Sequence, residues 1–380
     1  MRYRITTIIA IAALASFPVH GGHEAPIYPS YYPQEIQVEP VEPAEAGRLL
    51  ENGKIHAYIG RQAVFAGAAP KSVRAVESLG SFVVVRVHPT SPKATDERAA
   101  CAVAGTVLRA LAGAARDFVV HPYPVTPFHG DYLHHVDRAE AARERFLKGP
   151  AAPVVGVTVR ATGAMAESVA RGLGAAPDGS AEADASVEEI DLTALLAGQR
   201  VGINGWLGPP WLKQGWFHAY LLLGPALGDT ATRERAAQLA ARLQAGATAD
   251  SAESINFERD LVGLLTAGCR TVAAGYAVKR EHYSAAYSEG IENIAYDSHA
   301  GLNSAIFLRT VKLKDFPWNG WLRLGVPSPP AAAWNPFGGF NDEAGRLLWL
   351  AIGDPALFPE PYGGGWILNR IGDVRRPVGR

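Results

Sequence analysis

The sequence predicts an α/β protein, and three observations lead there. A short grammar recurs three times: a leucine-ending helix, a glycine, then a strand. Leu49-Leu50 and Gly53 run into Ile55–Ile59. Leu195-Leu196-Ala197-Gly198 runs into Arg200–Asn204, and Leu264-Leu265-Thr266-Ala267-Gly268 into Arg270–Ala274. Helices that alternate with strands are the signature of the class. The chain has 380 residues, of which 48% are hydrophobic and 19% charged, enough to bury a core and to form two domains.

Taken in order, residues 1–21 read as a cleaved signal peptide. Arg2 and Arg4 give a positive start, Ile5–Ala15 an apolar run too short to span a bilayer, and Pro18 ends it. No later segment is apolar for long enough to span, so the mature chain is expected to carry no transmembrane segment and to be periplasmic. Gly22–Pro33 reads as an extended surface arm. Pro43 opens a helix at a position that tolerates proline, and Gly53 supplies its left-handed end. Ser81–Val87 is a strong strand, followed by a helix over Asp96–Ala115 and a strand over Phe118–His121. Asp131 is expected to cap a helix that continues to Leu147. Val154–Arg160 reads as a strand, Gly163–Gly174 as a helix, and Ala175–Ser186 as an exposed loop. Beyond these, Arg233–Gln244 and Asn256–Gly268 read as helices, Ala305–Leu313 and Trp321–Val326 as strands, and Glu343–Ile352 as a helix.

Several function classes fall away. A net charge of -1 gives no basic face for nucleic acid. There is no G-x-x-x-x-G-K-[ST], no G-x-G-x-x-G after a strand and no G-x-S-x-G, so phosphate cradles and nucleophile elbows are absent. The two cysteines, Cys101 and Cys269, lie in apolar settings. They read as two buried small hydrophobes, although an oxidising compartment would allow a bond.

The stretch His121–Asp137 is the densest in proton- and metal-binding groups, with four of the eleven histidines and two aspartates. His121, His129, Asp131 and His135 are the candidate metal ligands, for zinc or copper, although their spacing matches no standard motif. His121, Tyr123 and His134 are candidates for contact with a ligand. A second stretch, Asn204–Trp211, follows a strand directly, where α/β proteins gather ligands. Asn204 and Trp206 offer a polar fork and a flat wall there. A third, Glu292–Ser304, holds Tyr296, Asp297, Ser298 and His299. It reads as a loop with Asx-turns at Asn293 and Asp297, with Tyr296 as a further ligand contact.

Two segments carry a resemblance. Ala44–Gly60, "AEAGRLLENGKIHAYIG", and Val187–Trp206, "VEEIDLTALLAGQRVGINGW", resemble units of the type 2 periplasmic solute-binding proteins. In texture the phosphonate- and sulfonate-type members come nearest. The resemblance implies two lobes of mixed sheet flanked by helices, with a small polar or anionic ligand clamped between them. It implies a first lobe over 22–150, a second over 151–290, and a C-terminal segment, 291–380, that returns to the first. Tyr58 and Asn204 sit where such proteins often contact ligand. A membrane transporter complex is the implied partner, no cofactor is required, and no catalytic turnover is expected. Two other readings stay open: a metal-dependent periplasmic enzyme or metal-handling protein using the His121–Asp137 stretch, and an extracytoplasmic interaction protein.

Overall fold

The computed structural model describes residues 33–372, apart from 115–117, 150–152, 165, 168–173, 176–182, 198–208, 316–319, 332–341 and 354. The expected signal peptide, the expected arm as far as Tyr32 and the expected Arg200–Asn204 strand therefore lie outside the described residues, as does most of the expected Gly163–Gly174 helix.

Two long strands organise the rest, β3 (Val73–Val87) and β8 (Thr271–Ser284), paired antiparallel along almost their whole length. Their sequence explains why they are central. In β3, Val83, Val85 and Val87 point to one core, and Phe82 and Val84 to another. Alternate side chains leave a strand on opposite faces, so a strand covered on both sides reads as a continuous apolar run. The pair slips register at Leu79/Ser81 and again at Val83/Val84. Gly80 stands at the first slip, 3.0 Å from Lys279 N by a built Cβ, where a side chain would be tight.

The sheet falls into two halves at that slip. One half is β1 (Glu35–Pro40), β11 (Trp321–Val326) and β2 (Ala57–Tyr58), mutually parallel, with β2 antiparallel to His282–Tyr283 of β8. Helix α1 (Pro43–Glu51) covers one of its faces. The other half adds β4 (Phe118–Val120), β7 (Ala185–Asp191), β5 (Thr158–Thr162) and β6 (Gly174–Ala175) to the upper ends of β3 and β8. Helix α2 (Glu97–Ala114) packs on one face of that half. The chain has by then passed α3 (Val136–Arg143) and α4 (Leu192–Ala197). The opposite face is covered by α5 (Gly215–Leu223), α6 (Thr230–Gln244) and α7 (Ser251–Leu265). Helices α8 (Ala305–Thr310) and α9 (Glu343–Ile352) return to the first half, with a two-stranded antiparallel pair of β9 (Ile291–Asn293) and β10 (Lys312–Leu313). The mixed sheet flanked by helices is as the sequence predicts. The chain crosses between halves within β3, so α2 and β4, which precede residue 150, sit with the second half. Among the described residues no helix is long and apolar enough to cross a membrane.

Three elements differ from expectation. The helix expected over Asp131–Leu147 is broken into a 3-10 turn over Tyr132–His135, α3, and a wide π turn over Glu144–Lys148. Ala305–Thr310 is a helix rather than a strand: Ser304 caps it by accepting from Phe307 N, and its buried positions Ala305, Phe307 and Leu308 follow a helical period. The end of the expected exposed loop, Ala185–Ser186, is buried strand, because Ala185 packs with Val187 into the core under α2.

Cys101 on α2 and Cys269 before β8 form a disulfide, with Cα atoms 4.8 Å apart and 168 residues between them. The expectation of two separate buried thiols is thus corrected: α2 lies directly over the start of β8, which sequence spacing alone could not reveal. Closing so long a loop is worth about 5 kcal/mol in the chain-entropy account, against about 2–5 kcal/mol usually lost on removal. The double substitution Cys101→Ala/Cys269→Ala is expected to lower unfolding stability by that range. An unchanged urea midpoint would show that the bond contributes nothing.

A buried polar seam between the two half-sheets

The organising feature of the interior is a line of buried polar groups where the half-sheets meet. It begins with His129, in the loop after β4. Pro122, Pro124 and Pro127 punctuate that loop and Gly275 admits it: a Cβ on Gly275 would collide with the Val119 carbonyl oxygen, so only glycine lets β4 pair there. The loop closes on itself as His129 N donates to Thr126 O (2.9 Å) and Thr126 N donates to His129 Nδ1 (2.8 Å).

His218 comes from α5. The start of that helix is held from across the core by Asp131, whose two carboxylate oxygens accept from Gly215 N (2.8 Å) and Trp216 N (3.0 Å). A carboxylate meeting unpaired N–H groups at a helix start is favourable. Asp131 therefore caps α5 and not its own segment, where its side chain makes no capping bond. Burial pushes its pKa up to about 6, against the pull of those two backbone donors.

His299 comes from the tight loop before α8. Asp297 Oδ1 accepts from His299 N and Ala300 N, both at 2.9 Å, so the Asx-turn expected at Asp297 is present. Gly301 has φ +66°, and a Cβ there would collide with the Glu281 carboxylate. Its absence lets Glu281, fully buried on β8, lie beneath the loop and accept from Gly60 N and Leu302 N, both at 2.6 Å. Burial raises the Glu281 pKa, partly offset by Lys279 nearby.

The three rings converge. Their centroids lie 4.8 Å apart for His129–His218 and 5.2 Å for each pair with His299. Phe82 forms an apolar wall, stacked on His129 at 6.2 Å and edge-on to His218 at 5.8 Å. His129 Nε2 and His218 Nδ1 are 2.9 Å apart, and His218 Nε2 reaches Leu212 O at 2.8 Å. Burial lowers the pKa of all three, to about 4 for His218 and well below the usual histidine value for the others. All three are neutral at pH 7.

Beside them Lys213 Nζ donates to Asp297 Oδ2 (2.6 Å), to Glu360 O (2.5 Å) and to Pro361 O (3.0 Å). It thereby ties the hairpin of β12 (Leu357–Pro359) and β13 (Trp366–Leu368) over the seam. Ser298 N donates to the same Pro361 O at 2.8 Å.

The sequence-derived candidates are dispersed. Tyr58 is a core residue, its hydroxyl donating to Val41 O at 3.0 Å. His121 Nε2 is 2.8 Å from Val125 O. Tyr123 and His135 pair with each other at 2.9 Å, and His134 pairs with Glu258 at 3.0 Å. Tyr296 packs edge-on to Tyr362 at the rim of the seam. Asn204 and Trp206 lie outside the described residues. Of the four expected metal ligands, His121, His129, Asp131 and His135, only Asp131 and His135 share a group, with Glu258, while His129 joins His218 and His299. His218, Lys213 and Glu281 carry no sequence signal: His218 sits in the apolar run Trp216–Leu223, and Glu281 in a strand end read only as far as Ala274.

No family model matches the chain, and no curated protein matches it. Solved structures do resemble it. The oligopeptide-binding protein AppA of Bacillus subtilis, in complex with a nonapeptide, is 12% identical with a TM-score of 0.38, covering 72% of this chain and 59% of that one. A putative peptide-binding protein of Clostridium difficile is 8% identical with a TM-score of 0.41, covering 71% and 59%. NikA of Brucella suis, in complex with Fe(III)-EDTA, is 12% identical with a TM-score of 0.36, covering 72% and 60%. The chain spans less than two thirds of the length of each.

Proposed function

We propose that the protein is an exported solute-binding protein that holds a small polar or anionic ligand in the seam between its two half-sheets. The observation that carries this is a cluster of polar atoms without partners around the Asp297–Ser304 loop. Ser78 Oγ, His299 Nε2, Asn303 Oδ1 and Arg346 Nε are all buried and find no partner among the described residues. Each such group costs about 1–3 kcal/mol if nothing meets it. Four of them at one junction suit a ligand that supplies the missing donors and acceptors. The Arg346 guanidinium feels Asp297 and Glu343, Lys213 is paired with Asp297 and Lys279 stands 3.8 Å from Glu281, so an acidic group on the ligand would share cations that carboxylates already hold. A solute of the phosphonate or sulfonate kind fits that chemistry. The disulfide supports an oxidising compartment, and a transporter complex is the partner that a periplasmic binding protein serves.

β3 and β8 run through both halves and slip register at the junction, so bending there would let the halves close on a ligand. A pool of organic acids, phosphonates, sulfonates and short peptides should contain a compound that raises the melting temperature. At a hundred times its Kd, a ligand adds about 2.7 kcal/mol, worth roughly 3–6 °C for a chain of this size. A pool that leaves the melting curve unmoved at millimolar concentration counts against the proposal.

A further inference from the structure

Among the described residues, three groups combine histidine, cysteine or carboxylate atoms closely enough to share a metal ion. Two are already committed. The sulfurs of Cys101 and Cys269 are bonded to each other, and the Glu97 carboxylate beside them accepts from Cys269 N. In the second, both Asp131 oxygens cap α5 and Glu258 is paired with His134. The third is different: His129, His218 and His299 come from three separate segments, all are buried, and their ligand atoms lie within 4.8 Å of one another.

We propose that these three histidines form a binding site for a divalent transition-metal ion of the zinc class, linking the two half-sheets. The argument rests on which nitrogen of each ring is free. His218 Nε2 faces the Leu212 carbonyl oxygen, which can only accept, so that nitrogen carries the proton and Nδ1 presents a lone pair. A ring N–H held by a backbone carbonyl is the usual outer support of a metal-bound histidine. His299 Nδ1 lies 2.8 Å from Ser298 Oγ and can donate to it, leaving Nε2 as a lone pair. Among the described residues that Nε2 is buried and has no partner. Two of the three rings can therefore turn a lone pair into the cluster, His299 Nε2 unmet and His218 Nδ1 met only by the His129 ring.

The third ring needs one proton moved. Thr126 N–H points at His129 Nδ1, so the neutral ring carries its proton on Nε2 and donates it to His218 Nδ1. Metal binding shifts that proton to Nδ1, which breaks the bond from Thr126 N–H; a turn of the ring then gives the proton to Thr126 Oγ1, now at 3.0 Å, or Thr126 O, now at 3.2 Å. The ring stays neutral and no proton is lost overall. Tetrahedral zinc with bonds of about 2.0–2.1 Å sets its ligands about 3.3 Å apart. The 2.9 Å pair must open slightly, and His299, whose ligand atom lies within 4.8 Å of the others, must close by up to about 1.5 Å. Three protein nitrogens leave one position open. The positive charges of Lys213 and Lys279, which reach His299, favour an anionic occupant there.

This inference does not depend on the solute-binding proposal, because its probe is the metal alone. The full mature chain, stripped with chelator, is titrated with Co2+ and followed by visible absorption, then with Zn2+ in competition. The expected result is one Co2+ per chain, with the strong visible bands of four-coordinate cobalt, displaced by Zn2+. His218→Phe and His299→Phe should each weaken binding about 100-fold or more, since even loss of an outer partner costs about 10–100-fold. His299→Phe is the decisive variant: its ring bonds only to the adjacent Ser298, so its loss breaks no hydrogen bond between elements. Far-UV circular dichroism checks its fold. His88→Gln, outside all three groups, should bind as the parent does. Absence of the cobalt bands at one equivalent overturns the proposal, as does a folded His299→Phe variant that binds cobalt like the parent.

Discussion

Acidification from pH 7 to about 4 is expected to remove most of the protein's stability. The cause is a set of histidines buried in neutral form. His218 and His56 are lowered to about 4 and His135 to about 3, in each case first by burial. Arg323 adds to the effect at His56, and Arg138 at His135. Their unfolded value is 6.5. Between pH 6.5 and about 4 the unfolded chain therefore binds more protons than the folded one, and stability rises with pH in that window. It is fully present above about pH 6.5 and drains away as the pH falls toward the folded values. A pKa difference of one between the two states is worth about 1.4 kcal/mol, so these three rings together reach the order of a whole domain's stability, about 5–15 kcal/mol. Asp131 works the other way. Its folded pKa of about 6 lies above the ordinary 3.8, so its burial costs stability at neutral pH and returns up to about 3 kcal/mol on acidification. Glu258 and Glu281 are raised as well, yet these three carboxylates stand against seven depressed histidines, since His121, His129, His282 and His299 are lowered too. Melting temperatures measured from pH 8 to pH 4 should fall steeply below about 6.5. A flat profile, or a maximum near pH 4.5, would mean that the rings reach water in the folded protein.

The sequence made the scaffold legible where local patterns are strong. Ser81–Val87 is strand as expected, and Glu343–Ile352 is helix to the residue. The left-handed glycine that ends α1 is present, with Gly53 at φ +62°. What failed did so for physical reasons. The first half of β3, Val73–Gly80, carries Arg74, Glu77 and Ser78 and lacks a continuous apolar run, yet pairs with β8 because the partner strand dictates it. The 305–310 segment is β-branched and apolar enough to read as strand, but a serine cap and helical burial decide it. The seam was half legible. Asp297 and His299 read from sequence as part of a polar loop, and His129 as a ligating residue. Their meeting with His218 depends on long-range packing, 89 residues away from His129 in the chain, and no local period reports that. Charge density along the sequence picked out His121–Asp137, whereas the tertiary fold distributes those side chains over three separate networks.

Lys213→Met is expected to cost about 3–5 kcal/mol, the usual penalty for stranding one member of a buried ion pair. Lys213 and Asp297 are only 13% and 10% exposed, so water screens neither well. Methionine keeps the length and apolar stem of lysine, so the loss reflects charge and hydrogen bonds more than packing. Asp297 Oδ2 and the Glu360 carbonyl lose their donor at once, and the Pro361 carbonyl is left with Ser298 N alone. Asp297 keeps two backbone donors in its Asx-turn, which hold the His299 loop, so the damage should spread first to the β12–β13 hairpin. Hydrogen exchange should therefore quicken for amides of Leu357–Leu368 before it quickens in β3 or β8. The double substitution Lys213→Met/Asp297→Asn removes the orphaned charge and should recover a large part of the loss. Asparagine keeps an oxygen for His299 N and Ala300 N, so the turn survives in the double variant. If the pair merely decorated the surface, Lys213→Met would cost under about 1 kcal/mol and the second substitution would add to the loss instead of relieving it. Urea unfolding of the three variants separates these cases. The outcome bears on binding as well: a hairpin tied down by one buried lysine can be released by a ligand whose acidic group takes that lysine for itself.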